Sequence, residues 1–371
     1  MRITGGMVFD LTRGFVRRDV CFDGGLIVRS GGDGETYDAA GCYVIPGLTD
    51  VHFHGCKGTD FSDGDPEGLA RMAEYELSRG VTQICPAGMT LPEDRLLKIC
   101  RTAAEHRRAG KPGAELVGVN LEGPFLSEAK KGAQNGAWLH APDLEMLRRL
   151  TAASEHLVKL VSVAPELPGA IDFIREASKQ VNVAIAHTAA DYDAAAAALQ
   201  AGARQITHLF NAMPPFAHRA PGVVGAAADF PACRVELICD GVHIHPAVVR
   251  AVFKLFGPER VVRISDSIRG TGMPDGQYAL GGQTVTVRGP LAALADGTIA
   301  GSVTDLMDCM RTAVSFGVPL ADAVRAAAVN PAQAIGVFGR VGSLDTGKQA
   351  NAVVLDKNLE LKAVFFKGAL I

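Results

Sequence analysis

Eight short apolar runs, most of them followed by a segment with helical spacing, predict an α/β chain. Eight such units imply a (β/α)8 TIM-like barrel. Short β-type runs at both ends add a small β-sandwich domain built from the two chain termini. The length of 371 residues leaves room for one large barrel and an appendage. With 42 glycines and only 6% aromatic residues, the composition fits many tight strand-to-helix turns better than an aromatic-filled all-β core.

The elements follow in order. Residues 1–9, 15–22, 26–29 and 42–45 read as short strands separated by glycine turns. Residues 352–355 and 363–366 read the same way, punctuated by Gly347 and Gly368. Pairing the two sets assigns residues 1–46 plus 347–371 to the small β domain and 47–346 to the barrel. Barrel strands are read at 44–53, 81–85, 116–121, 158–163, 181–186, 205–207, 235–239 and 261–265. Helices are read at 66–79, 92–108, 142–153, 190–201 and 246–256, several with Pro near the first turn. Residues 277–300 interrupt the alternation with a β-like insertion at 283–288. Helices at 303–316 and 320–335 complete the barrel, the second interrupted or kinked at Asn330-Pro331. An open doubly wound sheet is the competing architecture, and no G-x-G-x-x-G follows the first strand to support it.

Apolar residues make up 48% and charged residues 21%, which supports a sizeable core and argues against disorder. Lys plus Arg total 37 against 40 for Asp plus Glu, a net charge of −3 with no long basic run. That disfavours nucleic acid or an acidic membrane surface as the main partner. No apolar run reaches the roughly 18–20 residues that span a bilayer. The first ten residues lack the pattern of a signal peptide. The eight cysteines are scattered without a C-x-x-C, as expected of free thiols in a cytoplasmic protein.

A barrel enzyme keeps its active site at the carboxyl ends of its strands. Those ends carry His52 and His54, Glu122, His187, His208, Asp240 and Asp266. His52 and His54 are two residues apart on a strand, so both imidazoles face one side and can chelate a divalent ion. The pair reads equally as two solvated histidines on an edge strand, and a second H-x-H at His243-Ile244-His245 shows how little the spacing says alone. Glu122 also reads as a turn or helix-capping carboxylate. His187 and His208 taken singly read as core histidines. Jointly, four of ten histidines on one rim with nearby carboxylates make a normal ligand set for zinc or iron-type divalent ions. Asp266 reads as a ligand, as a general base, or as an N-cap for the residues after it.

The motifs at these ends make the chain resemble the amidohydrolase superfamily and, within it, the deacetylases of N-acetyl amino-sugar phosphates. The resemblance covers nearly the whole chain. It rests on Pro46-Gly47-Leu48-Thr49-Asp50-Val51-His52-Phe53-His54-Gly55, on Leu121-Glu122-Gly123-Pro124-Phe125 with Lys130-Lys131-Gly132-Ala133, and on Ala186-His187-Thr188. Thr207-His208-Leu209-Phe210-Asn211-Ala212-Met213, Cys239-Asp240-Gly241-Val242-His243 and Ile264-Ser265-Asp266-Ser267 extend it, as do Ile299-Ala300-Gly301-Ser302 and Asn330-Pro331-Ala332.

The resemblance implies that Glu122, His187 and His208 bind the main divalent metal. It implies a second ion at His52 and His54, with Glu122 bridging. It implies one or two ions per subunit, zinc or iron first and manganese as a further candidate. Asp266 matches the catalytic acid/base. Asn211 and Ala212 match a loop that contacts the sugar phosphate. His243 and Arg219 match phosphate contacts, and Arg219 comes from the neighbouring subunit, which implies a homodimer. The implied reaction hydrolyses the N-acetyl group of N-acetylglucosamine 6-phosphate to glucosamine 6-phosphate and acetate, with a metal-activated water and Asp266 as general base, then acid. Gln134 stands where such proteins often carry a histidine that donates to the acetyl carbonyl. An amide can donate there but cannot be charged. N-Acetylgalactosamine 6-phosphate is therefore the alternative substrate. A cyclic amide is disfavoured, because no lysine ends the fourth strand to form a bridging carbamate. A non-catalytic sugar-phosphate-binding barrel is disfavoured because the full ligand set and Asp266 are present.

Overall fold

The computed structural model describes residues 1–31 and 34–371. Its centre is parallel sheet. Leu48–Asp50, Val81–Ile84 and Glu115–Leu116 pair in parallel with Val81–Ile84 between the others. Seven further parallel strands follow in chain order: Ala87–Gly88, Val119–Phe125, Val158–Val163, Asn182–Ile185, Gln205–Ile206, Arg234–Ile238 and Val261–Ile264. Backbone hydrogen bonds join the two sets, from Val117 N to Ile84 O (2.9 Å) and from Asn120 N to Pro86 O (3.0 Å). At the far edge Asp266 N donates to His52 O at 2.9 Å, tying the end of the last strand to the end of the first. The sheet thus curls around an inner core that includes Val51, Cys85, Val117, Leu160, Ile238 and Ile264. Helices cover the outer face in a larger apolar cluster. Burial on both faces is why the strands read as near-continuous apolar runs.

The helix starts follow side-chain chemistry. Asp65 accepts from the N–H groups of Glu67 and Gly68 to open Pro66–Ser78. Asp143, Asp191 and Asp305 do the same for Leu144–Ala153, Tyr192–Ala201 and Leu306–Ser315. Two helices that sequence reading did not find, Ala170–Ala177 and Gly222–Asp229, lack any side-chain cap bond and span only eight residues each. Ala170–Ala177 does bury one face at helical spacing (Ala170, Phe173, Ile174 and Ala177), but it is two turns long with no capping side chain to mark its start, and Gly222–Asp229 is buried nearly all round and so shows little periodicity. The irregularity near Asn330-Pro331 begins earlier than the proline: a π-helical turn at Arg325–Val329 separates helical Leu320–Val324 from Asn330–Ala334. Proline cannot donate to the preceding turn, and a widened turn accommodates it.

The ends of the chain meet in two sheets. One contains Leu26–Val28, Val20–Asp23, Arg2–Thr4 and Thr36–Asp38. The other contains Ala369–Leu370, Leu361–Phe366, Ala352–Leu355, Tyr43–Pro46, Met7–Asp10 and Gly14–Arg17. Each long N-terminal run proves to be two strands, and Thr36–Asp38 was not anticipated. Ile3 and Phe22 of the first sheet share one apolar cluster with Val44, Val354 and Phe365 of the second. The insertion is a three-stranded antiparallel sheet, Gly276–Leu280, Gln283–Arg288 and Leu291–Ala293, packed on Met89 and Ile268. No helix of the described residues is long and apolar enough to cross a membrane.

Candidate active site

Strand ends deliver the side chains to one mouth. Asp50 braces the first strand: it accepts from His52 N at 3.1 Å and from Ser265 Oγ at 2.5 Å. His187, His208 and Asp266 each have positive φ, at 42°, 29° and 51°. L-residues rarely adopt that region, and the turns it makes re-aim side chains at functional sites. Glu122 differs from the expected strand end. It lies inside Val119–Phe125, which runs three residues past it. The following Gly123 has φ of 114°, and a Cβ there would sit 2.2 Å from Thr90 Oγ1. Gly123→Ala is expected to cost about 1–3 kcal/mol of stability through strain and overpacking, read as a lower urea midpoint. An unchanged midpoint would contradict that close fit.

Four imidazoles and two carboxylates converge. Glu122 Oε1 lies 3.2 Å from His187 Nε2, 3.0 Å from His208 Nε2 and 3.4 Å from His52 Nε2. Its other oxygen lies 3.3 Å from His54 Nε2. Asp266 Oδ1 lies 3.2 Å from His54 Nε2 and 3.7 Å from His52 Nε2. Two groups result, each with one ligand atom per residue within 4.8 Å: Glu122, His187 and His208, and beside it His52, His54 and Asp266. Glu122 faces both. All six residues are buried.

The electrostatics suit a cation. Burial alone would neutralise the imidazolium of His54, yet hydrogen bonds to Asp266 and Glu122 raise it to about 10. Burial also disfavours charged His52, but the charges of Glu122 and Glu236 lift it well above its ordinary value. Burial pushes the Glu122 carboxyl up, while the charge of His52 and hydrogen bonds from His187 and His208 hold it well below the usual range. Burial likewise opposes ionised Asp266, and the hydrogen bond to His54 with the charges of both imidazoles brings it down. The carboxylates therefore demand positive charge at this point, and protons on histidine supply it where divalent ions otherwise would. His52 Nε2 and His208 Nδ1 are buried without a hydrogen-bond partner. The nitrogen and oxygen donors present thus fit one or two divalent ions.

A cavity of about 390 Å³ opens above this centre. Its lining includes His54, Glu122, His187, His208 and Asp266, and also Gln134, Asn211, Ala212 and His243. His243 Nδ1 pairs with Asp240 Oδ2 at 2.6 Å, which fixes the ring. Asn211 Nδ2 donates to the His208 and Leu209 carbonyls, so it shapes its own turn. Gln134 is engaged at both ends: Nε2 donates to Glu122 Oε2 (2.7 Å) and Oε1 accepts from Thr90 N (2.8 Å). One of its two amide N–H bonds is thereby taken. Arg219 is exposed and does not line the cavity. Sequence reading passed over Glu236, whose Oε2 lies 2.9 Å from His52 Nδ1. The available signal was a carboxylate inside an otherwise apolar strand, Val235-Glu236-Leu237-Ile238.

A histidine and carboxylate centre at the carboxyl ends of a curled parallel sheet, open to a cavity, defines an α/β enzyme of the metal-dependent hydrolase class. The chain belongs to the amidohydrolase family, whose model matches residues 43–371. It is 36% identical to an N-acetylglucosamine-6-phosphate deacetylase of Vibrio furnissii, covering 88% of this chain and 82% of that one. It is also 36% identical to an N-acetylgalactosamine-6-phosphate deacetylase of Escherichia coli O157:H7, over 88% of this chain and 87% of the relative. Among solved structures, an aspartate-to-alanine mutant of the N-acetyl-D-glucosamine-6-phosphate deacetylase of Mycobacterium smegmatis, in complex with N-acetyl-D-glucosamine-6-phosphate, superposes with a TM-score of 0.92. That match has 34% identity and covers 100% of this chain and 98% of the other.

Proposed function

We propose that this enzyme hydrolyses the N-acetyl group of N-acetylglucosamine 6-phosphate to glucosamine 6-phosphate and acetate. The observation that carries the reading is Glu122 facing both ligand groups, with Asp266 beside them, under one cavity. Glu122, His187 and His208 would hold one divalent ion, and His52 and His54 a second, with Glu122 shared. When bound, such ions polarise the acetyl carbonyl and make water acidic enough to supply the nucleophile near neutral pH. Asp266 takes the proton of the attacking water and returns it to the departing amine. An amide nitrogen leaves poorly as an anion, so this second transfer is as necessary as the first. Gln134 has one N–H left for the acetyl oxygen. Asn211, Ala212 and His243 flank the sugar phosphate. Arg219 of the partner subunit in a homodimer completes the phosphate site with its planar donor fork. Zinc or iron is the favoured metal, with manganese a candidate.

The same reading takes the parallel strands as a closed (β/α)8 barrel over residues 47–346. Residues 1–46 plus 347–371 are then a small β-sandwich. The eight unbridged cysteines favour a cytoplasmic setting.

N-Acetylgalactosamine 6-phosphate is the second candidate, because a relative named for it is as similar as one named for the glucosamine isomer. Acetate release from both compounds by metal-replete protein separates the two. Turnover is expected with the glucosamine isomer, and chelation should abolish it. Release from the galactosamine isomer alone would reassign the substrate. Release from neither would overturn the proposal.

A further inference from the structure

A row of polar groups that the reaction itself does not use runs from half-buried Asn182 to fully buried His52. Asn182 Nδ2 donates to Gln205 Oε1 at 2.9 Å and to the Ala334 carbonyl at 3.2 Å. Gln205 Nε2 then donates to Glu236 Oε1. The other oxygen of Glu236 meets His52 Nδ1 at 2.9 Å, with His208 N at 3.4 Å. Gln205, Glu236 and His52 are each 0% exposed.

The row has a direction. The Asn182 contact fixes the Gln205 amide with its nitrogen toward Glu236. Glu236 thus receives a hydrogen bond on one oxygen and accepts the His52 proton on the other. Only a carboxylate can accept at both ends. With Nδ1 carrying its hydrogen toward Glu236, Nε2 is the nitrogen of His52 that gives up its proton to take an ion. That atom has no hydrogen-bond partner and points toward Glu122 and Asp266. The other imidazoles are held differently. His54 and His187 place Nδ1 against the carbonyls of Ala87 (3.1 Å) and Lys130 (2.9 Å), and His208 Nδ1 has no partner. Among the described residues, His52 alone of the four is aimed by a carboxylate through Nδ1.

We propose that Glu236 is the positioning residue of the second ion: it fixes the tautomer and aim of His52, so the Asn182–Gln205–Glu236 row governs whether the chain holds two ions or one. This rests on the two-ion reading of the site. A carboxylate behind a ligating histidine orients the ring and raises its basicity, and removing one typically weakens metal binding about 10–100-fold. Glu236→Gln keeps the shape but must present an amide N–H to either Gln205 or His52. Satisfying Gln205 with the remaining oxygen drives His52 to the opposite tautomer, with hydrogen on the atom needed for the ion.

The test titrates zinc into the intact, chelator-stripped chain against a competing fluorescent chelator. The parent should bind two ions. Glu236→Gln should weaken one of them roughly 10–100-fold and leave the other unchanged. His52→Ala should weaken the same ion, and adding Glu236→Gln to it should change nothing more. The swap Glu236→Gln with Gln205→Glu again offers His52 an acceptor and should recover the second ion. The retained ion at Glu122, His187 and His208 reports a folded barrel in every variant. Parental affinity for both ions in Glu236→Gln, weakening of both together, or a loss that the swap does not repair would overturn the inference. A parent that binds one ion, unmoved by His52→Ala, would overturn the two-ion reading and this inference with it.

Discussion

Asp266→Asn is expected to retain its ions and lose turnover by about 10²–10⁴-fold, the usual contribution of a general acid–base group. The substitution preserves shape, and the amide oxygen can still face His54, 3.2 Å from the present Oδ1. What disappears is the capacity to take a proton. Asp266 is buried, and positive charge beside it, from the imidazoles in the ion-free chain, brings its carboxyl below the ordinary range, so it stands ionised and ready to accept. An amide cannot accept the water proton, and it has none to return to the leaving amine. Both halves of the reaction then fail at one atom. Steady-state acetate release with metal analysis on the same sample checks this. Near-parental turnover would remove Asp266 from the mechanism, whereas loss of ions in parallel would make it a ligand instead.

Glu122→Gln should have the broadest effect of any single change. Its oxygens lie within 3.4 Å of all four imidazole Nε2 atoms, so one carboxylate faces the ligand nitrogens of both groups. Removing the charge weakens both ion positions together. In the parent, zinc at about a thousandfold above its dissociation constant should add about 4 kcal/mol of stability by mass action. In Glu122→Gln most of that increment should vanish, and acetate release with it. Urea unfolding with and without chelator measures the difference. A variant that gains as much stability from zinc as the parent would show that Glu122 is not the shared ligand.

The site was legible where chemistry sits at strand ends. His187 directly follows an apolar run, His208 and Asp266 close the shorter runs at 205–207 and 261–265, and the positive φ each adopts is invisible in the sequence. His52 and His54 showed themselves through their place at the end of the first strand and the motif around them, since their spacing is shared by His243 and His245, which do not join the centre. Glu236 went unread because it lies in mid-strand, where a carboxylate matters only through what it faces inside the curled sheet. That partner, His52, is 184 positions away. Gln134 was read as facing a ligand, but its amide also holds Glu122, a contact set by the fold of the loop after residue 125. In the fold, strands with strong apolar runs and the longer helices, of ten residues or more, were found. The uncapped Ala170–Ala177 and Gly222–Asp229 were not.

Anomalous diffraction at the zinc edge, from crystals grown with zinc, tests the central claim most directly. The account predicts two peaks in the mouth of the sheet, with nitrogen and oxygen ligands at about 2.0–2.2 Å. One peak should be held by Glu122, His187 and His208, the other by His52 and His54, and Glu122 should touch both. A single peak away from Glu122, or none in the mouth at all, would contradict it.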